Sequence, residues 1–233
     1  LALCMAFACV LTACSSKQPA ADNDQTATDA DSNTSAPEST DSETRDTLNY
    51  GMPQEPGKLD PQNDSLLVTQ MTDKQIYDTL FVVNEETKEI EPNLATEWSW
   101  ADELTLDVTL RDDVTFHNGD AFDSADVLYS YNNFAGLDGN EAVSSDYEIV
   151  ESVEAPDEYT FVVHLTEPSA SFLSVNIDSI LPEGYDDQAA NPVGTGPFKF
   201  VEYTPSQRIV LEKNEDYYDE SRMAQVDRVE FYI

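Results

Sequence analysis

Glu103-Leu104-Thr105-Leu106-Asp107-Val108-Thr109-Leu110 alternates without a break, with Leu104, Leu106, Val108 and Leu110 on one side and acidic or Thr residues on the other. A period of two with one polar side is the pattern of a half-buried antiparallel strand. The alternation recurs in Tyr159, Phe161, Val163 and Leu165, which with Tyr147–Ala155 predicts a hairpin around Pro156-Asp157-Glu158. Beyond Arg111-Asp112-Asp113, Val114–Phe116 is expected to pair back onto the first strand. His117-Asn118-Gly119-Asp120 then supplies a turn-favouring Asn-Gly. Asp123 or Ser124 caps a helix whose apolar side is Val127, Leu128, Tyr131 and Phe134.

Upstream, Thr47–Gly51 suits a short strand, and a loop punctuated by Pro and Gly runs through Pro61. A helix is predicted over Leu66–Leu80, with Asp64 or Ser65 as N-cap and Leu67, Met71 and Leu80 along its apolar side. Phe81–Val83 and Ile90 flank a turn at Asn84–Lys88. Downstream, Phe198–Tyr203, Arg208–Lys213 and Val226–Ile233 read as three more strands. Hairpins dominate and no βαβ repeat is present, so the fold class is α+β.

The chain has 233 residues, 47 acidic and 11 basic, for a formal charge of −36. With 40% apolar residues it holds enough to pack a core. Eleven Lys and Arg cannot easily build the basic face that a phosphate backbone demands, so nucleic acid is excluded as a partner. The three cysteines, Cys4, Cys9 and Cys14, all lie in the first 14 residues. Disulfides and thiolate metal sites are therefore ruled out for the rest.

Residues 1–13 (LALCMAFACVLTA) carry no charge. That run is too short to span a bilayer and has the length of a signal-peptide core. It lacks a start Met and basic residues ahead of it, and we read the N-terminus as truncated. Leu11-Thr12-Ala13-Cys14-Ser15-Ser16 resembles a bacterial lipobox, in which the Cys is acylated and becomes the mature N-terminus. At about 0.8 kcal/mol per buried methylene, two or three acyl chains through Cys14 hold a protein on a lipid bilayer. Between Ser15 and Asp46 there is no aliphatic or aromatic side chain beyond Ala, and 8 acidic residues face 2 basic ones. With nothing to bury, residues 14–46 read as a lipidated Cys and an acidic tether.

The order of segments from Thr47 to Ile233 resembles the family 5 extracytoplasmic solute-binding proteins of peptide and nickel ABC transporters. The resemblance rests on Glu55-Pro56-Gly57-Lys58-Leu59-Asp60-Pro61, Ile76-Tyr77-Asp78-Thr79-Leu80 and Glu91-Pro92-Asn93-Leu94-Ala95-Thr96-Glu97-Trp98. It continues through Thr109–Asp120, Asp123–Val127, Asn191-Pro192-Val193-Gly194-Thr195-Gly196-Pro197-Phe198-Lys199-Phe200 and Leu211–Tyr218. It implies a periplasmic-binding-protein type II-like fold, two-lobed in the full-length protein. This chain would supply mainly lobe I, with an inserted subdomain at about 85–190 and a return to lobe I from about 191. Residues 47–233 are then an incomplete domain. A peptide ligand captured in the cleft, and ABC permease subunits that receive it, are the implied partners; no cofactor and no metal is expected.

By position after Leu59-Asp60-Pro61, the stretch Ser65-Leu66-Leu67 matches the family's cleft lining. Ser65 reads equally well as an N-cap and Leu67 as a core residue. Gly194–Pro197 marks where the chain re-enters lobe I, an architectural role. His117 and His164 are the two histidines: the first sits in the turn, the second on the polar side of its strand, and two such residues alone do not make a nickel site. Trp98 and Trp100 share a strand face and are expected to pack in the subdomain. No G-x-S-x-G, H-E-x-x-H, Walker or G-x-G-x-x-G motif is present. Peptide capture is thus the leading reading. Nickel chelate, haem or oligosaccharide binding, a surface adhesin and a secreted hydrolase are the alternatives.

Overall fold

A computed structural model describes residues 46–63, 66–137, 139, 142–175 and 178–233, within a unit that spans Glu43–Ile233. The signal-like run, Cys14, the tether, Asp64 and Ser65 lie outside the described residues. Strands β1 (Thr47–Gly51), β8 (Phe198–Thr204), β9 (Arg208–Lys213) and β10 (Arg228–Tyr232) form one sheet in the order β1-β10-β9-β8. β1 runs parallel to β10, while β10-β9 and β9-β8 are antiparallel. On one face Ile209, Leu211, Val229 and Phe231 are buried under Val68 and Ile76 of helix α1 (Leu67–Ile76). On the other, Glu230 accepts from Arg228 at 2.7 Å, Arg208 at 3.1 Å and the Tyr232 hydroxyl at 2.6 Å.

The second sheet has the order β4-β5-β7-β6, built from β4 (Ala95–Trp100), β5 (Thr105–Leu110), β6 (Val150–Asp157) and β7 (Thr160–Leu165). Leu106, Val108 and Leu110 of β5, with Phe161, Val163 and Leu165 of β7, pack against Val127, Tyr131 and Phe134 of helix α2 (Ser124–Ala135). Asp123 caps α2: its carboxylate accepts from Ala125 N–H at 2.7 Å, and the Asp126 carboxylate reaches back to Asp123 N–H at 2.9 Å. The hairpin of β2 (Phe81–Val83) and β3 (Ile90–Pro92) borders this second core. A short helix α3 (Phe172–Val175) sets Phe172 edge-on to Trp100 at 6.4 Å. Each fully buried Phe, such as Phe81, Phe134 and Phe161, contributes about 1.5–3 kcal/mol through burial alone.

Three local expectations need correction. Val114–Phe116 does not pair with β5, because both edges of β5 are taken by β4 and β7; it closes on itself through a Thr115–Ala121 bridge, with Gly119 at φ +92°. Leu104 precedes β5 and is 37% exposed, so it does not join the apolar row. Helix α1 stops at Ile76, four residues early, and buries Val68, Thr69, Thr72, Asp73 and Ile76. Tyr77 turns extended instead, and its hydroxyl lies 3.1 Å from the Leu59 carbonyl and 2.9 Å from Gln188 Oε1.

Candidate functional site

Upstream of α1, Asp60 fixes a turn at residues 60–63. Its carboxylate accepts from Gln62 N–H at 3.1 Å and Asn63 Nδ2 at 2.7 Å, and its carbonyl from Asn63 N–H at 2.9 Å, a side-chain-stabilised turn. After it, Leu66 stands at the N-cap of α1 in extended conformation (φ −64°, ψ 134°) with no side-chain cap. Leu67 follows as the first helical residue. The two side chains are 45% and 76% exposed, so core packing does not account for Leu67, since the buried row of α1 lies on its other side. Thr69 anchors the helix from below, accepting from Gly57 N–H at 3.1 Å. Of the three candidate ligand contacts, the structure thus places Leu66 and Leu67 together at the head of α1, on the surface.

At the other end of α1 the sequence motifs converge on one junction between the two cores. Gly196 N–H donates to the Ile76 carbonyl at 2.8 Å, and His117 N–H to the Gly194 carbonyl at 2.9 Å. His117 Nδ1 accepts from Gly194 N–H at 3.4 Å, which leaves Nε2–H to donate to the Gly196 carbonyl at 3.0 Å. Asn214 Nδ2 donates to the same carbonyl at 3.1 Å. Burial pushes the His117 pKa down to about 4, so the ring is neutral at pH 7.

Asp78, also buried, accepts from Thr195 Oγ1 at 3.2 Å, the Tyr217 hydroxyl at 3.2 Å and Asn93 Nδ2 at 3.4 Å. Burial raises its pKa, and the bonds from Tyr and Asn oppose that shift. Asn93 passes the network on, accepting from the Tyr218 hydroxyl at 2.8 Å and Arg222 at 2.7 Å. Arg111 stacks over the Tyr218 ring at 4.7 Å. His164 lies away from this junction, 3.7 Å from Glu154 on the polar side of β7, and Trp98 packs edge-on against Phe81 at 4.9 Å. Among the described residues no group of three or more His, Cys, Asp or Glu side chains is arranged to hold a metal, and no helix is long and apolar enough to cross a membrane.

One feature left no mark in the sequence. A polar cavity of about 160 Å³ lies between the Asp60–Asn63 turn, Tyr129 of α2 and Asp186–Gln188. Its walls come from three separate stretches, so no spacing could have shown it.

Solved binding proteins share this arrangement. The periplasmic binding protein DppA of Helicobacter pylori, in complex with the peptide STSA, superposes with a TM-score of 0.72 at 30% identity, over 80% of this chain and 42% of that one. NikZ of Campylobacter jejuni, in complex with Ni(L-His), gives 0.69 at 25% identity, over 81% and 39%. The bacterial extracellular solute-binding protein profile, family 5 middle part, matches residues 89–233, and the chain belongs to that family. The oligopeptide-binding protein AppA of Bacillus subtilis is 26% identical over 190 residues, 68% of this chain and 35% of that protein. The chain spans about a third of the length of such curated relatives.

The neutral state of His117 gives a testable pH dependence. A folded-state pKa near 4 against about 6.5 unfolded means the unfolded chain takes up the proton first. The stability His117 contributes is complete above pH 6.5 and is lost as pH falls towards 4. Denaturation of wild type and His117→Gln at pH 7 and pH 4 should show the gap between them shrink by up to about 3 kcal/mol. A gap that stays constant would contradict a neutral, buried His117.

Proposed function

We propose that this chain forms the first lobe of the substrate-binding component of an ABC importer, which captures peptides outside the membrane and delivers them to the permease. Residues from about 85 to 190 are the subdomain inserted into that lobe, and the separate core built on β4–β7 supports this division. The observation that carries the reading is the exposed pair at the head of α1, Leu66 extended and Leu67 opening the helix, with Thr69 two residues on tied to Gly57 N–H. In this reading Ser65, Leu66 and Leu67 line the cleft. An extended peptide suits such a wall, because main chain meets main chain and side chains fall into tolerant pockets. DppA with its bound peptide and the oligopeptide-binding AppA favour peptides over other solutes. The work is binding and lobe closure, with no chemistry on the ligand.

Cys14, acylated, anchors the protein to the outer face of the membrane, and residues 15–46 give it reach. The acidic surface then keeps the body off an anionic bilayer.

Two measurements test these readings. In a ¹H–¹⁵N NMR titration of the 233-residue chain, short peptides should move the Leu66 and Leu67 amides with Kd no tighter than about 1 mM, half a cleft giving weak capture. Micromolar binding would contradict a two-lobed site, and unmoved Leu66 and Leu67 amides would contradict the cleft assignment. Separately, Cys14→Ser should shift the protein from the membrane fraction to the soluble one; retention in the membrane would sink the lipid anchor.

A further inference from the structure

We propose that the cavity beside the candidate cleft segment is a pocket for the cationic side chain of a bound peptide. The inference rests on the peptide-capture reading and names the side-chain class this wall selects. One wall is the turn Asp60, Gln62 and Asn63, which precedes Leu66 and Leu67 in the chain; the others are Tyr129 and the stretch that carries Leu181, Tyr185, Asp186 and Gln188. Among the described residues its lining is polar almost throughout, carries two carboxylates and includes no Lys or Arg.

The walls are held in place before any ligand arrives. Asp60 is fixed by its own turn, through Gln62 N–H and Asn63 Nδ2. Gln188 accepts from Val193 N–H at 2.8 Å and donates to the Val193 carbonyl at 2.9 Å, while the Tyr77 hydroxyl lies 2.9 Å from its Oε1. Asn133 of α2 donates to Gln62 Oε1 at 3.3 Å. Preorganised polar groups of this kind lose little freedom on binding.

Two groups in the pocket are left unused. Gln62 Nε2 is buried and has no acceptor among the described residues. A buried donor without a partner costs free energy that a ligand acceptor recovers. Asp186 is exposed and makes no hydrogen bond or ion pair among the described residues. A ligand that completes the pocket therefore brings one acceptor and one cation. A lysine residue in an extended peptide brings both: its ammonium faces Asp186 and Asp60, and its main-chain carbonyl meets Gln62 Nε2 once that amide, occluded in the free protein, turns into the cavity. A volume of about 160 Å³ matches a side chain of that size rather than a whole residue pair. An acidic or purely apolar side chain leaves the carboxylates unpaired or repelled.

The test compares Ala-Lys-Ala, Ala-norleucine-Ala and Ala-Glu-Ala against the 233-residue chain by ¹H–¹⁵N NMR at low ionic strength. The lysine peptide should shift the Gln62 side-chain amide and bind about threefold tighter than the norleucine peptide, with the glutamate peptide weakest. In Asp186→Asn, an exposed position whose change leaves the fold intact, the lysine preference should disappear. Equal shifts from all three peptides at Gln62, or a lysine preference that survives Asp186→Asn, would overturn the pocket. If the peptides move Leu66 and Leu67 but leave Gln62 still, the pocket falls and peptide capture stands. If none moves either place, peptide capture falls and takes the pocket with it.

Discussion

The fold depends on a backbone-to-backbone approach that admits no side chain. A Cβ on Gly194 would lie 2.2 Å from the Ile76 carbonyl oxygen, and one on Gly196 would lie 2.7 Å from the Ile76 carbonyl carbon. Only glycine lets the returning chain press onto the end of α1 at that distance. Because the chain can come so close, Gly196 N–H caps the Ile76 carbonyl, and His117 can bridge both glycines from the other core. The apolar interiors of the two sheets form separate clusters, and this contact with the polar network around it joins them alongside α2, whose Tyr129 packs on the first core and whose Ser130 bonds Leu181.

That network places a carboxyl group where burial is costly. Asp78 is offset by donors from three different segments, and Arg222, bonded to Asn93, favours its charged form as well. Removing one donor would leave a buried acceptor short, which costs more than the bond is worth when made. The arrangement therefore fixes one relative placement of Ile76–Leu80, Asn93, Thr195 and Tyr217. Four of the sequence motifs thus share a single structural purpose, and a fifth joins them through His117, which bonds Gly194 and Gly196.

Elements with a clear period were legible from sequence. Leu106, Val108 and Leu110, and Phe161, Val163 and Leu165, fall on the buried side as their alternation requires, and Asp123 caps α2 as its chemistry allows. The end of α1 was not, because Tyr77 leaves the helix for distant partners, Leu59 and Gln188, which no local rule contains. Leu67 looked like a core position by type, and only the rotation of α1 on its sheet turns it outward. Pairing of β1 with β10 joins residues some 180 positions apart, beyond what periodicity reports. The cavity walls were hidden for the same reason.

The charge of −36 is carried mostly by residues 47–233 and does not determine the fold. What the architecture needs is the glycine contact. Urea denaturation of Gly194→Ala beside Gly51→Ala tests this directly, since a Cβ at Gly51 meets nothing within 4 Å. The glycine-contact account predicts a change within about 0.5 kcal/mol for Gly51→Ala and a loss of at least about 3 kcal/mol for Gly194→Ala. Equal midpoints for the two variants would contradict it.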